Sequence, residues 1–164
     1  MKAFDPLGAL QTLMTNGVDF VLIGGLAARL HGSPTITDDL DISHSKERAN
    51  LELLAAALAD MSAYLPLPDP DDRLDVTLDW RLLHTADNFT FSTDFGPLDC
   101  LAHPAGIESY DELKRDAAAM DLDGIRIRVA SIDDLMRMMQ AAGRRKDLIE
   151  LEILAALKEE IGGA

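Results

Sequence analysis

Apolar residues recur at helical and strand-like spacings and divide the first third of the chain into alternating elements. Residues 5–16 carry leucine at every third position, which predicts a first helix with Asp5 as its N-cap. Residues 18–23 form an apolar, β-branched run, which predicts a buried strand. The pair Gly24-Gly25 then leads into a short helix that we expect to end near Gly32.

The same two periodicities continue to the C-terminus. A loop at 33–38 precedes a predicted strand at 40–43 and a helix over 48–61 with Ser45 as its N-cap. We predict further strands at 74–78, 89–93, 98–101 and 125–129, and a tight turn at 121–124 joins the last of these to another short strand before it. Two more helices are predicted over 131–142 and 146–161, the first with Ser131 as N-cap and Asp134 completing an imperfect capping box. Residues 65–73 read as a loop or hinge, and no helix pattern follows until about residue 108. This order predicts an α/β (α+β) domain with a mixed central sheet flanked by helices and no internal repeat.

Length and composition fit one globular domain. The 164 residues are 48% hydrophobic and 27% charged, so we expect a single domain over 1–164, with a core at about 5–130 and C-terminal helices at about 131–161. No run approaches the roughly 20 apolar residues that span a bilayer, and the first residues lack the build of a signal peptide. The expected location is therefore the cytoplasm, without a membrane partner.

Charge and the rarer side chains narrow the function classes. The net charge of −14 makes general DNA binding unfavourable, and Arg144-Arg145-Lys146 is the one basic patch. The single cysteine, Cys100, is expected to be a small buried hydrophobe. The four histidines lack metal-ligand spacing, so we expect structural or solvent-facing roles for His31, His44, His84 and His103.

Two aspartates on one predicted strand suggest a metal site. Asp39 and Asp41 are at positions i and i+2, so their side chains point to the same side, about 6.6 Å apart at the backbone. Mg²⁺ is a suitable counterion because it binds carboxylates and bridges substrate phosphates. The alternative is a solvated edge strand in an acidic protein. Asp99 lies inside an apolar run, an unfavourable position unless it is paired, and is the best third ligand; Asp79 and Asp94 are weaker candidates.

Gly24-Gly25 lies at the strand-to-helix junction, where free N–H groups and the helix dipole favour an anion such as phosphate. A purely structural turn is the alternative. The sequence contains neither the three spaced glycines of a Rossmann motif nor the lysine of a phosphate-binding loop.

Taken in order, these motifs resemble a known family. Ile23-Gly24-Gly25, then Thr37-x-Asp39-Leu40-Asp41-Ile42, then a single aspartate in a later strand are similar to the signature of the polymerase-beta-type nucleotidyltransferase superfamily. The resemblance extends to residues 141–148 and is greatest to small bacterial members related to the abortive-infection and toxin–antitoxin nucleotidyltransferases.

The resemblance implies a nucleotidyltransferase fold and a two-metal reaction that moves a nucleoside monophosphate from a nucleoside triphosphate, expected to be ATP, onto a hydroxyl group. The implied catalytic and metal ligands for Mg²⁺ or Mn²⁺ are Asp39, Asp41 and Asp99. The implied nucleotide-binding residues are Gly24, Gly25, Ser33, Thr37, Arg144 and Lys146. Relatives use small molecules, proteins or tRNA as acceptors.

Two positions depart from the pattern of the relatives. Thr35 stands where many have arginine, and Met139 where many have lysine, so two positive charges that could face a phosphate are missing. Arg144 or Lys146 could supply the charge, or could only stabilise a helix terminus. A second hypothesis is therefore a weak or inactive member that acts as an antitoxin-like partner-binding module, with a toxin or antitoxin partner or as a homo-oligomer. A metal-dependent phosphohydrolase is a third.

Overall fold

A six-stranded mixed sheet organises the chain in the computed structural model, which describes residues 3–163. The elements in chain order are α1 (Pro6–Thr15), β1 (Phe20–Ile23), α2 (Gly24–Leu30), β2 (Leu40–His44), α3 (Arg48–Asp60), α4 (Trp80–His84), β3 (Asn88–Thr93), β4 (Gly96–Leu101), α5 (Tyr110–Asp116), β5 (Ala118–Leu122), β6 (Ile125–Val129), α6 (Ile132–Ala142) and α7 (Arg145–Gly162). The strand order is β3-β4-β2-β1-β6-β5. The predicted mixed α/β architecture is confirmed.

Both parallel and antiparallel neighbours occur in the sheet. β1 lies at its centre, antiparallel to β2 and parallel to β6, and all four of its residues are buried. β2 and β4 are parallel, while β3–β4 and β5–β6 are hairpins. Because β2 and β4 run in the same direction, residues at their N-terminal ends meet at one edge of the sheet.

The core combines the central strands with apolar faces of the helices. Leu10 and Leu13 of α1 and Leu51, Leu54 and Leu58 of α3 are fully buried. Each removes a large apolar side chain from water, which contributes about 1.5–3 kcal/mol relative to leaving it exposed. These side chains belong to one buried cluster with those of the central strands, while α2 contacts β1, β2 and α6.

Several local predictions are confirmed in detail. Asp5 caps α1 by accepting a hydrogen bond from the Gly8 amide at 3.0 Å, and Ser131 caps α6 in the same way. Gly143 ends α6 with a left-handed φ of 64°. The turn between β5 and β6 has positive φ at Asp123 and Gly124, as a type I′ hairpin turn requires.

Other local predictions are wrong. Residues 74–78 form no strand, because their alternating side chains have no neighbouring strand to pair with and Leu74 and Val76 remain exposed. The predicted order also lacks the short helices α4 and α5. The Asp79 carboxylate caps α4 through the amides of Arg81 and Leu82, so this weaker candidate ligand has a structural role.

The N-cap of α3 is also misplaced in the prediction. Glu47, not Ser45, occupies that position, and the Ser45 hydroxyl accepts from the Glu47 amide at 3.3 Å. Ser45 therefore stabilises the turn before the helix. Between residues 3 and 163, no helix combines the length and apolar composition that crossing a bilayer requires.

Candidate active site

The strand register brings three aspartates together on one face of the sheet, near the start of β2. Asp41 on β2 lies opposite Ile23 at the end of β1 and opposite Asp99 on the parallel strand β4. Asp39 immediately precedes β2. One carboxylate oxygen from each aspartate lies within 4.8 Å of the others, and all three side chains are half-buried. We call Asp39, Asp41 and Asp99 the acidic triad.

The donor set of the acidic triad fits a divalent cation. The Asp99 Oδ1 atom is buried and has no hydrogen-bond partner among residues 3–163. Burying a carboxylate oxygen without a partner is unfavourable, and a cation at the centre of three carboxylates would remove that penalty. Oxygen-only ligation is the preference of Mg²⁺, Mn²⁺ and Ca²⁺.

The metal-free triad holds a proton. Burial raises the pKa of Asp41 to about 8, and the charge of Asp39, a hydrogen bond shared with Asp99 and the charge of Asp99 reinforce the shift, while the charge of Lys146 opposes it. At neutral pH a proton therefore neutralises part of the cluster when no metal is bound. A cation that binds the triad must compete with this proton.

The backbone at Gly24 allows the close approach of Asp41. Gly24 has a φ of +73°, and a Cβ atom there would lie 2.2 Å from Asp41 Oδ2. Only glycine meets both requirements. A Cβ atom on Gly25 would lie 2.9 Å from the Cβ of Thr37, so the second glycine fits against the loop before β2. Ile23, the N-cap residue of α2, offers no side-chain cap, which suits an external anion at this junction.

The loop before β2 orients the first aspartate. The Thr37 hydroxyl donates to Asp39 Oδ1 at 2.9 Å. The buried Ser33 hydroxyl accepts from the Thr35 amide at 3.2 Å and shapes the same loop. Both predicted nucleotide-binding side chains therefore have intramolecular partners: Thr37 contacts Asp39 of the triad, and Ser33 contacts the backbone within the loop.

Two cations from the start of α7 act on the triad. Arg144 donates from Nε to Asp147 Oδ2 at 2.7 Å; that hydrogen bond raises the pKa of Arg144, and the charges of Asp147, Asp41 and Asp39 add to the effect. Lys146, one residue into α7, lowers the pKa of Asp41. Both predicted basic residues therefore interact electrostatically with aspartates of the triad.

The two departures from the family pattern have specific environments. The Thr35 hydroxyl donates to Glu150 Oε2 on α7 at 2.6 Å, and the other oxygen of Glu150 is buried without a partner among the described residues. Met139 is buried in the core. Sequence reasoning missed Asp147 and Glu150, although their spacing with buried Leu154 marks an inward face of α7.

Two further residues that the sequence singles out, Cys100 and His44, have structural settings. Cys100 is fully buried beside Asp99, and burial raises the pKa of its thiol, so it is an unreactive hydrophobe. His44 is buried, and burial lowers the pKa of its imidazole, whose Nδ1 lies 3.1 Å from the Ser45 carbonyl oxygen.

Solved structures with a similar fold match nearly the whole chain. The lincosamide antibiotic adenylyltransferase LnuA, solved with lincomycin bound, matches with a TM-score of 0.62 at 13% sequence identity, over 96% of this chain and 99% of that chain. The chain has the nucleotidyltransferase fold. ANT(2″)-Ia in complex with adenylyl-2″-tobramycin shares the fold with a TM-score of 0.54 at 18% identity, over 93% and 94% of the two chains.

A third structure with the nucleotidyltransferase fold is TM1012 from Thermotoga maritima, a candidate nucleotidyltransferase; it matches with a TM-score of 0.51 at 13% identity, over 99% of this chain and 98% of that chain. No protein-family model and no curated protein sequence matches the chain. At these identities the likeness establishes the fold, and function has to be argued from the side chains.

Proposed function

We propose that the chain is a nucleotidyltransferase that uses Mg²⁺, or Mn²⁺, to move a nucleoside monophosphate from a nucleoside triphosphate onto a hydroxyl group. The observation that carries the proposal is the acidic triad, in which three half-buried carboxylates meet at the end of β1 and one oxygen has no hydrogen-bond partner among residues 3–163. A solvated edge strand would not place three like charges together. The fold is shared with the lincosamide antibiotic adenylyltransferase LnuA and with ANT(2″)-Ia, which was solved with adenylyl-2″-tobramycin, and this likeness supports the same chemistry.

Each residue has a role in this proposal. Asp39, Asp41 and Asp99 would hold the divalent ions, which when bound neutralise triphosphate charge and stabilise the entering and leaving oxygens. The backbone at Gly24 and Gly25 would bind phosphate oxygens beside them.

The remaining side chains support that core. Thr37 fixes the orientation of Asp39 through its hydroxyl. Ser33 keeps the shape of the loop that carries Thr37. Lys146 and Arg144 would contribute positive charge toward the phosphates, because both act on the triad from α7. We propose one catalytic unit made of the core at about 5–130 and the C-terminal helices at about 131–161, working in the cytoplasm, where nucleoside triphosphates are available.

Calorimetric titration with ATP and Mg²⁺ tests the site. The double variant Asp39→Asn, Asp41→Asn should lose metal-dependent binding. A matched control exists in the same chain, because Asp121-Leu122-Asp123 at the β5–β6 turn repeats the Asp-Leu-Asp spacing at the far edge of the sheet. Asp121→Asn with Asp123→Asn removes the same charge and should bind normally. Equal binding in all three proteins would refute the site.

Transfer of label distinguishes the proposed reaction from its alternatives. With ATP labelled at the α-phosphate and a cell lysate as the source of acceptors, the enzyme should form a labelled product that the Asp39→Asn, Asp41→Asn variant does not form. Release of phosphate or pyrophosphate without a labelled product would indicate a phosphohydrolase. Absence of turnover with all four triphosphates would favour the antitoxin-like module.

A further inference from the structure

A buried carboxylate on α7 lies outside the acidic triad and has no role in the proposed reaction. Glu150 is only 7% exposed, and its Oε2 atom accepts a hydrogen bond from the Thr35 hydroxyl at 2.6 Å. Its second oxygen, Oε1, is buried without a hydrogen-bond partner among residues 3–163. Burying such an oxygen is unfavourable, and within the described chain the bond to Thr35 is the one hydrogen bond of this side chain that offsets the cost.

The α7 helix holds the Glu150 carboxylate in a fixed place. Glu150 and Leu154 are four residues apart, so they share one face of the helix, and Leu154 is fully buried in the core. Asp147, nearly one turn earlier on the same face, is also buried and binds Arg144. Because the neighbours of Glu150 on both sides are buried, its carboxylate is restricted to a narrow range of positions.

Thr35 joins α7 to the loop that precedes β2. Its hydroxyl donates to Glu150, its amide donates to the Ser33 hydroxyl at 3.2 Å, and its carbonyl oxygen accepts from Arg29 Nη1 on α2 at 3.3 Å. Every polar group of Thr35 is therefore engaged, and together these groups connect two helices with the loop.

Hydrogen bonds, and not apolar packing, hold this part of the loop. Pro34 and Ile36 flank Thr35 and are exposed, and Ile36 is 84% exposed. An aliphatic side chain that stays in water contributes almost no burial energy. The contacts of Thr35 therefore determine where residues 34–36 lie relative to α7.

The same loop leads to the first metal ligand. The Thr37 hydroxyl donates to Asp39 Oδ1 at 2.9 Å, and a Cβ atom on Gly25 would lie 2.9 Å from the Thr37 Cβ. Thr37 therefore has little room to shift toward α2, and its alignment with Asp39 depends on the residues that precede it. Ile36 alone separates the residue bound to α7 from the residue bound to the acidic triad.

We propose that Glu150 is a positioning residue for the metal site: through Thr35 it fixes the loop at 33–38 against α7 and so holds the Asp39 carboxylate in the geometry that binds Mg²⁺. The inference rests on the proposed metal-dependent function and adds a residue to it. Lys146 lies four residues before Glu150 on the same side of α7. The bond therefore also sets the separation between the first metal ligand and this cation.

Two substitutions that break the bond should weaken Mg²⁺ binding alike but change stability in opposite directions. Glu150→Met keeps a similar volume, removes the partnerless oxygen and leaves the exposed Thr35 hydroxyl able to bind water, so the urea midpoint in EDTA should stay the same or rise. Thr35→Val removes the hydrogen bond that Glu150 accepts, so the midpoint should fall by about 0.5–1 M. Calorimetry at pH 8 should show the affinity for Mg²⁺ lowered about three- to tenfold in both variants.

A rescue variant, a charge control and a double variant complete the experiment. Thr35→Ser keeps the hydroxyl group and should bind Mg²⁺ within about twofold of the unchanged protein. Glu152→Met removes the same charge from an exposed position of α7, two residues away, and should bind Mg²⁺ normally. The double variant Thr35→Val, Glu150→Met should bind no more weakly than either single variant, because both substitutions break one bond.

Stability and affinity together decide the result. A Glu150→Met protein that loses affinity only in company with stability would overturn the inference, because Glu150 would then support the fold as a whole. Unchanged affinity in Glu150→Met and Thr35→Val would overturn it too, as would an equal loss in Glu152→Met, which would assign the effect to charge. Absence of Mg²⁺ binding in the unchanged protein would refute the proposed metal-dependent function and this inference with it.

Discussion

Magnesium binding at the acidic triad should release a proton near neutral pH. The pKa of Asp41 is raised to about 8 by burial and by its two acidic neighbours. At pH 7 this carboxyl is therefore about 90% protonated in the metal-free protein, and a metal that binds its oxygen must displace that proton. We expect about 0.9 proton released per bound metal at pH 7 and about 0.1 at pH 9.

The same competition sets the pH dependence of affinity. Below about pH 8 the apparent affinity for Mg²⁺ should fall by up to tenfold for each pH unit, and between pH 8 and pH 6 the total should be about 50-fold, or about 2.3 kcal/mol. Lys146 limits the shift because its charge favours the ionised carboxylate. An Asp41 with an ordinary pKa would give almost no change over this range.

Calorimetry in two buffers of different ionisation enthalpy counts the protons. The dependence of the observed enthalpy on buffer enthalpy gives the number released, and Asp41→Asn should abolish both the proton release and most of the binding. The Asp121→Asn, Asp123→Asn control should behave like the unchanged protein. Fewer than about 0.3 proton released at pH 7, with metal bound, would refute the argument for a protonated triad.

The stability of the metal-free protein provides an independent check on the direction of the Asp41 pKa shift. Between the usual pKa of an unfolded aspartate, about 3.9, and the folded value, about 8, the folded protein binds more protons than the unfolded chain. The contribution of Asp41 to stability is therefore complete below this window and is lost as the pH rises through it. Urea unfolding should show a metal-free protein that weakens toward pH 8 and regains stability with Mg²⁺.

Three further variants test individual contacts. Gly24→Ala should lower the free energy of unfolding in urea by more than about 2 kcal/mol. The control is Gly124→Ala, where φ is also positive but no described atom lies within 4 Å of the added Cβ, so only the cost of the backbone strain is expected. Equal losses in the two variants would show that the clash with Asp41 does not contribute. Thr37→Val should weaken Mg²⁺ binding about three- to tenfold by releasing the first triad carboxylate, measured by titration at pH 8. Lys146→Met should raise the pKa of Asp41, so the midpoint of Mg²⁺ binding should move to higher pH; an unchanged midpoint would mean that Lys146 points away from the triad.

The acidic triad could be predicted because its geometry depends on local rules. Two carboxylates at i and i+2 of a strand must share a face, and one charge within an apolar run needs a partner. The register that places Asp99 beside Asp41 could not be deduced from spacing, since it depends on β2 and β4 becoming neighbours across more than fifty residues. Asp99 could be predicted as the third ligand only from its apolar neighbours in the sequence, which make an unpaired charge unfavourable.

Other parts of the site depend on long-range contacts that leave weak local signals. The Thr35–Glu150 hydrogen bond joins residues 115 positions apart, and nothing near either residue in the sequence indicates the other. The isolated bridge that joins Tyr64 to Ser92 of β3 has the same long-range character. The strand predicted at 74–78 does not form, because an alternating sequence becomes a strand only where a neighbouring strand is available for pairing.

Thr35 and Met139 occupy the two positions where the resemblance would place a positive charge, and their surroundings differ. Met139 is buried and packs in the core, so a lysine there would have to extend its charged end to solvent or to the site at the expense of apolar packing. Thr35 donates its hydroxyl to Glu150, whose second oxygen is buried without a partner among residues 3–163. The unpaired Glu150 oxygen is therefore an acceptor that a cationic side chain at position 35 could reach.

Three carboxylates therefore dominate the charge of the site. Lys146 and Arg144 act on the triad from α7, but Arg144 is also held by Asp147. A site with strong metal ligands and few cations relies on the bound metal to neutralise triphosphate charge. Under the proposed nucleotidyl transfer, that balance predicts a high requirement for Mg²⁺, because few side-chain cations are available to offset the charges of the carboxylates and the triphosphate.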